Sequence, residues 1–341
     1  TTEIYTLSLH DALPISNIME HVMLETPNTR RLDEIIPAIR SMAARLDGHS
    51  LSELTVDRVE AIVADMNYLL KPIVTDVRRT GQRSVLNTMR GSLIDYIGRG
   101  RIQDRMISKP RGYSGDYLTI DWLYQQPFDG DHRVDVWNRL SYAQQAARAV
   151  RARVDYVRDA ILPILSAATT DIRILDIASG PGRIERGVFD AVPSLRHRVT
   201  FELLDADEDA IEYSRTLLSS GTPTNIDLQF HHRNALRFAP TSTYRFIWSA
   251  GLFDYLDDRL AARLLSRMYS WLDKGGSMLV GNFAPECQSQ WSLEAFYDWF
   301  LIYRSEEDCL KLCEAAGIPF ERIRLERDVT DSVVLMCVDA E

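Results

Sequence analysis

The chain is short of cysteine, of basic residues and of long apolar runs, and each shortage excludes something. Its only cysteines are Cys287, Cys309, Cys313 and Cys337. They form no CxxC pair and have no close histidine, so they are read as unpaired thiols in packing roles, with no metal site. The 39 basic residues are outnumbered by 49 acidic ones. A net charge of -10 gives no general attraction to nucleic acid or to an anionic membrane. No apolar run reaches transmembrane length and no amino-terminal run resembles a signal peptide. Stable membrane insertion is therefore not expected, and a cytoplasmic location is. No internal repeat is evident. At 341 residues and 45% hydrophobic content, the chain exceeds the size at which single cores usually divide.

What is present centres on DIRILDIASGPGRIERG, residues 171–187. Ile172, Ile174, Leu175 and Ile177 make an apolar run of strand length. Gly180, Pro181 and Gly182 make a turn, and a helix-compatible segment follows. Glycine in that turn lets a ligand approach the backbone, and the helix offers free amides at its start. The next unit, VTFELLDADEDAIEYSR, reads as a strand ending in Asp205 and a helix starting at Asp207. Asp205 lies 29 residues after Asp176. A carboxylate at the end of a second strand can accept both hydroxyl protons of a ribose. A nicotinamide-dinucleotide site is disfavoured, because GPGRIE has Glu185 where the third glycine of GxGxxG belongs. His231 and His232 follow a later strand and are read as structural.

Here the chain resembles the class I S-adenosylmethionine-dependent methyltransferases. Leu175, Asp176, Ile177, Gly180 and Gly182 match the family's first motif, LD(I/V)xxGxG. The resemblance implies an α/β fold, Rossmann-like, with a seven-stranded mostly parallel sheet and an all-helical N-terminal cap. It implies S-adenosyl-L-methionine as cofactor. Asp205 would hold the ribose, and Asn234 and Ala235, in HHRNALRF, would lie beside adenine, the side-chain oxygen of Asn234 accepting from the adenine amino group. Asp176, Ala178, Ser179, Gly180, Gly182, Ala206, Ser249, Ala250 and Gly251 complete the cofactor-binding set, with Tyr113 and Tyr117 above it.

Three tracts, RGYSGDY, SAGLFDYL and GNFAPECQSQWSLEAFYDWFLIYRS, resemble a bacterial subgroup with a helical amino-terminal extension. Its members include synthases of 3-hydroxy fatty acid methyl esters. The resemblance puts Asp254, Tyr255, Asp298, Tyr303 and Arg304 near the mouth of the site. The same subgroup resembles azetidine-2-carboxylate synthases, which cyclise S-adenosylmethionine alone, and for that reaction Asn138 and Tyr142 are the residues expected to hold the cofactor's amino group. Catalytic roles are assigned to Asn138, Tyr142, Asp254, Tyr303 and Arg304. The expected activity is methyl transfer to a small or fatty carboxylic acid. Cyclisation and a non-enzymatic helical interaction protein are the alternatives. A carboxylate acceptor needs no general base, whereas a hydroxyl or amine would.

The remaining chain divides into residues 17–108, a helical cap or dimerisation domain; 109–165, an aromatic cover and connecting helix; and 166–341, the cofactor-binding domain. LDEIIPAIRSMAARL, VDRVEAIVADMNYLLKPIVTDV and RSVLNTMRGSLIDYI have helical spacing, and Thr55 is a predicted helix start. Asn28 and Thr29 are read as an interruption. Tyr113, Tyr117, Trp122, Tyr124 and Asn138 are expected to cover the methionine end of the cofactor. VDVWNRLSYAQQAARAVRARVDYVRDAILPIL is expected to be one long helix, ended or bent at Pro163. Its Arg148, Arg151 and Arg153 are read as a solvated or interdomain face, the other reading being contact with phosphate or a substrate carboxylate. TLSLHDALPIS resembles a translated sequencing-adapter fragment, so residues 1–16 are left out of the fold argument.

Overall fold

The computed structural model describes residues 28–48, 53–192 and 195–341; the adapter-like segment lies outside them. Seven strands form one sheet in the order β3-β2-β1-β4-β5-β7-β6. They are β1 (Ile172–Ile177), β2 (Val199–Asp205), β3 (Ile226–His232), β4 (Tyr244–Ser249), β5 (Leu272–Phe283), β6 (Ile323–Arg327) and β7 (Val333–Asp339). β1 to β5 pair in parallel, and β7 runs antiparallel to both β5 and β6. This is the Rossmann-like class I methyltransferase fold that the resemblance implies, with the terminal hairpin at its edge.

The central strands β1, β2, β4 and β7 and the second half of β5 are buried on both faces, so their alternate residues feed two separate core layers, while the edge strands β3 and β6 are part-exposed. Leu175, Ile177, Ile247, Met278 and Val280 face helices Asp258–Ser270 and Glu306–Ala315. Ile174, Phe246, Trp248 and Leu279 face helices Gln145–Ala167, Arg183–Ala191 and Glu208–Leu218. Asp176, two residues after Ile174, lies on this second face. That phase brings its carboxyl to Glu185 and under the charge of Arg153. Cys309 and Cys313 are free thiols buried in the first layer.

The amino-terminal helices Asn28–Asp47, Val56–Thr80 and Ser84–Ile97 share a core with Val136 and Leu140, and with Ala295 and Phe296 of the helix Gln290–Tyr297 that follows β5. Polar contacts fasten the same seam. Buried Glu294 takes two hydrogen bonds from Arg78 Nε at 2.9 and 3.0 Å, and Arg90 Nη1 donates to the Glu294 and Ala295 carbonyls. Among the described residues no helix is long and apolar enough to cross a membrane.

Two local expectations change and a third narrows. Asn28 and Thr29 begin a helix and do not interrupt one. The long predicted helix is two helices, His132–Ala143 and Gln145–Ala167, separated by extended backbone at Gln144. The break is sustained from far away: Ser289 Oγ accepts from Ala146 N–H at 3.0 Å, and Gln144 Oε1 accepts from Asn67 at 3.2 Å and Ser292 at 3.3 Å. Of the two outcomes expected at Pro163, an end or a bend, the end is excluded, because the helix continues to Ala167. Buried Ile161 and Leu165 hold that last turn against the sheet and offset the lost backbone bond.

Candidate functional site

A cavity of about 850 Å³ opens above the carboxyl ends of β1, β2 and β4. Its floor is the turn after β1, where three successive alternate residues have positive φ: Ala178 at 61°, Gly180 at 57° and Gly182 at 75°. The first is strained for a residue with a side chain. Ala178 N–H and Ser179 N–H both bond to Leu204 O, at 2.7 and 3.2 Å, and so tie the turn to β2. Asp205 completes the tie. Its Oδ2 accepts from Gly180 N–H and its Oδ1 from Asp207 N–H, both at 2.9 Å. Burial raises the Asp205 carboxyl above the usual range, against the opposing pull of those two amides.

The two glycines of the turn do different work. A Cβ on Gly180 would meet nothing within 4 Å, because that side is cavity; a Cβ on Gly182 would stand 2.9 Å from Ser214 Cβ on the neighbouring helix. Gly182 is a packing residue beneath the site and does not line it. Gly180→Ala, at φ 57°, is therefore expected to cost about 1 kcal/mol of backbone strain with no clash and to weaken ligand binding by about 10-fold, while Gly182→Ala adds about 1–3 kcal/mol of overpacking to the same strain. Thermal unfolding beside titration calorimetry separates the two outcomes.

Asp176 and Glu185 are neighbouring buried carboxyls whose charges act on each other. Asp176 Oδ2 and both Glu185 oxygens have no hydrogen-bond donor in the protein. Burial, and then the charge of Glu185, holds Asp176 well above the usual carboxylate range, and burial raises Glu185. One proton shared by the pair avoids two adjacent buried negative charges. Ser179 Oγ, also buried in the cavity wall, has no partner either.

Of the other expected cofactor residues, Tyr113, Tyr117, Ala206, Asn234, Ala235, Ala250 and Gly251 line the cavity. The Asn234 side-chain oxygen is already engaged by Leu236 N–H at 2.9 Å, so the side chain orders its own turn. Ser249 lies below the wall, its hydroxyl donating to Ile177 O at 2.9 Å. His231 meets Glu202 at 2.8 Å away from the cavity, whereas His232 lies at the cavity's edge, 3.1 Å from Ala206 O.

The five residues given catalytic roles are scattered. Asp254 lines the cavity, with Oδ1 accepting from Phe283 N–H at 2.7 Å. Asn138 is fully buried outside it; its amide donates to Asp129 at 2.9 Å and fastens a loop. Tyr142 spends its hydroxyl on Pro127 O at 2.8 Å. Tyr303 stacks beneath Arg78, 5.2 Å from the ring centroid. Arg304 is 2% exposed and bonds inward to Phe253 O, Leu256 O, Asn282 and Asp258. The Asn138 amide, the Tyr142 hydroxyl and the Arg304 guanidinium are thus taken up by the protein's own groups, whereas the buried Tyr303 hydroxyl has no partner and lies outside the cavity lining.

The aromatic cover forms in part. Tyr113, Tyr117 and Tyr124 line the cavity, while Trp122 turns away between Arg101 and Arg105. Burial raises the Tyr124 hydroxyl, so it stays neutral. The cover is held down by Asp121, which accepts from Arg183 at 2.5 Å and Tyr213 at 2.7 Å, and by Arg111 bonding Asp207 at 3.3 Å. At the mouth, Gly115 leaves room for Trp299 and Tyr255: a Cβ there would stand 2.3 Å from the Trp299 ring. Asp298 sits behind them in ion pairs with Arg90 and Lys109. Arg153, read from sequence as part of a solvated or interdomain face, instead lines the cavity and is 7% exposed.

Residues 174–276 match the methyltransferase domain family. No curated protein matches the chain. Among solved structures, a protein of Bordetella parapertussis described as a possible exported protein is 16% identical, covering 96% of this chain and 99% of its own, with a TM-score of 0.54. Magnesium protoporphyrin IX methyltransferase of Synechocystis, solved with S-adenosylmethionine, is 13% identical over 57% of this chain and 83% of its own, TM-score 0.41. The N-methyltransferase NodS of Bradyrhizobium japonicum, solved with S-adenosylhomocysteine, is 16% identical over 55% and 87%, TM-score 0.38. The seven-stranded sheet is that of the class I methyltransferase fold, residues 174–276 match the methyltransferase domain model, and the cofactor of that fold is S-adenosylmethionine. The residues fit it. Gly180 opens its missing side chain onto the cavity, Asp205 stands at the end of β2, and orphaned polar atoms of Asp176 and Ser179 face the same space.

Proposed function

We propose that this chain is an S-adenosylmethionine-dependent O-methyltransferase whose acceptor is a small or fatty carboxylic acid. The observation that carries the reading is the composition of the cavity along its length. One end, at Asp205 and Asn234, is polar; the other, toward β5, is lined by Leu123, Val150, Phe283, Leu293 and Leu301. An apolar end beyond the nucleoside end suits an acceptor with a hydrocarbon part, and the volume lies in the upper part of the range for small-molecule sites.

Bound S-adenosylmethionine supplies a methyl group on positive sulfur, already activated for transfer. The protein's part is then alignment and exclusion of water. Asp205 and the Gly180 turn hold the nucleoside side, and the acid pair at Asp176 offers acceptors for an ammonium group. Tyr113, Tyr124, Tyr297 and Trp299 close the space over the acceptor. The cyclisation reading keeps the same cofactor-holding residues, but Asn138, its amine-positioning residue, faces Asp129.

Incubating purified protein with S-adenosylmethionine, with and without 3-hydroxydecanoate, and identifying products by mass spectrometry tests the reading. S-adenosylhomocysteine and a methyl ester, formed only with the acid, are expected. Methylthioadenosine and azetidine-2-carboxylate formed without it establish cyclisation instead. Tight binding of the cofactor with no turnover over a broad acceptor panel favours the interaction protein.

Asp254 adds a pH signature. Burial pushes its carboxyl up to about 7, against the Phe283 amide and the charges of Arg153 and Arg304. Below that pH it is neutral, and above it a negative charge faces the acceptor's own carboxylate. KM for the acid is therefore expected to rise above pH 7, several-fold per unit, and Asp254→Asn to flatten the profile. A KM independent of pH from 6 to 8.5 in the unaltered enzyme rejects this role.

A further inference from the structure

Arg153 is a buried cation in the cavity wall. It projects from the helix Gln145–Ala167, is 93% buried, and its Nε has no hydrogen-bond partner. Among the described residues no carboxylate oxygen lies within ion-pair distance of it, although the charges of Asp176 and Asp254 are near enough to act on it. By contrast, Arg148 on the same helix pairs with Glu60, and Arg151 donates to Tyr142 O at 2.9 Å and Leu123 O at 3.3 Å. The guanidinium lies against the backbone of Gly251, where a Cβ would stand 2.8 Å from Nη1, and its Cζ is 5.9 Å from the Phe283 ring centroid. Glycine just after β4 is what admits it.

A guanidinium taken out of water without a partner is costly, and such a site is retained where a ligand completes it. Its planar fork of donors matches a carboxylate, which it grips bidentately. Arg153 lies between Asp176 and Asp254, beside Phe283, while Asp205 marks the nucleoside end. Both the cofactor's own carboxylate and the acceptor's are candidates there, and the apolar residues Val150, Leu293 and Leu301 of the same cavity favour the acceptor's.

We propose that Arg153 is the residue that recognises the acceptor's carboxylate, orienting the acid with its hydrocarbon part along Val150, Leu293 and Leu301. This inference rests on the methyltransferase reading above and gives its acceptor site a specificity determinant.

The test uses Arg153→Gln and Arg153→Lys in the full chain. S-adenosylhomocysteine affinity by calorimetry is expected to stay within about 3-fold of the unaltered protein. Binding of 3-hydroxydecanoate to the S-adenosylhomocysteine-loaded protein is expected to fall about 100-fold in Arg153→Gln, the scale of breaking a buried charge pair, and about 10-fold in Arg153→Lys, which keeps the charge without the fork. The neutral analogue 3-hydroxydecanamide should bind both variants as it binds the parent. The melting temperature of ligand-free Arg153→Gln should not fall, since the change removes an uncompensated charge; a purely structural arginine would lower it. If Arg153→Gln does not fold, Arg153→Lys carries the comparison. A large loss of S-adenosylhomocysteine affinity overturns the inference by assigning the guanidinium to the cofactor. Unchanged acid binding in both variants overturns it outright. If the unaltered protein methylates no acid at all, the methyltransferase reading fails first; if it does and the variants share its KM, only Arg153's role fails.

Discussion

Arg304→Ala is expected to destabilise the folded chain by about 3–5 kcal/mol, the range seen when one partner of a buried charged network is removed. The side chain is almost wholly buried. Its Nη1 donates to Phe253 O at 2.9 Å and Asn282 Oδ1 at 2.7 Å, and its Nη2 to Leu256 O at 2.6 Å and Asp258 Oδ1 at 2.8 Å. These bonds span both ends of the Phe253–Tyr255 turn and reach the end of β5. Truncation leaves the Leu256 carbonyl and the Asn282 amide oxygen without the donor they have, while Phe253 O keeps the Leu256 N–H at 3.2 Å, so the loss exceeds that of the side chain's own packing. Because the turn carries Asp254 into the cavity, turnover should fall with stability. Arg304→Lys should rescue little, since one ammonium cannot reach acceptors on opposite sides of the turn. Urea unfolding checks the magnitude. A variant within about 1 kcal/mol of the parent shows that Arg304 does not hold this turn.

Asp205→Ala is expected to weaken binding of S-adenosylhomocysteine by about 100-fold or more, from two additive causes. The ribose loses a charged acceptor, a contact worth about 1.5–3 kcal/mol. The Gly180 and Asp207 amides also lose the carboxylate that orders the turn between β1 and β2. Asp205→Asn retains one oxygen and should lose about 10-fold. Since burial raises the Asp205 carboxyl, the parent's affinity should itself decline toward acidic pH as that group protonates, and the decline should vanish in Asp205→Asn. Calorimetry across that range is the measurement. Unchanged affinity in both folded variants removes Asp205 from the site.

The residues that the sequence shows well are those whose role is set within one or two βα units. DIASGPG and Asp205 belong to consecutive strands, paired from Ile172↔Val199 to Ile177↔Leu204. Their ligand-facing geometry follows from strand ends and glycine turns, which leave local marks in the chain. Strands β1 and β2 are legible for the same reason, since short apolar runs and turn residues act over a few positions, while the seven-stranded sheet around them is what the family resemblance implies.

Asn138 and Tyr142 show where that legibility stops. Their chemistry suits a site, but Asp129 and Pro127, a short loop away, take their polar groups first. No spacing rule distinguishes a hydrogen bond to the protein from one to a ligand. Arg304 has the same ambiguity, resolved inward by carbonyls some fifty residues earlier in the chain.

The sequence by itself determined the sheet, the cofactor turn and the class of molecule it holds, because these depend on backbone conformation and on neighbours close along the chain. Only the tertiary structure decided which charged groups meet the cavity. Arg148, Arg151 and Arg153 share one helix and one chemistry, yet Glu60, two carbonyls and a cavity receive them respectively. That choice depends on the rotation of the helix Gln145–Ala167 against the sheet, set by its break at Gln144, by Ser289 from the far side of β5 and by the room above Gly251. Side chains one turn apart can thus differ between solvent and cavity through a contact that lies more than a hundred residues away.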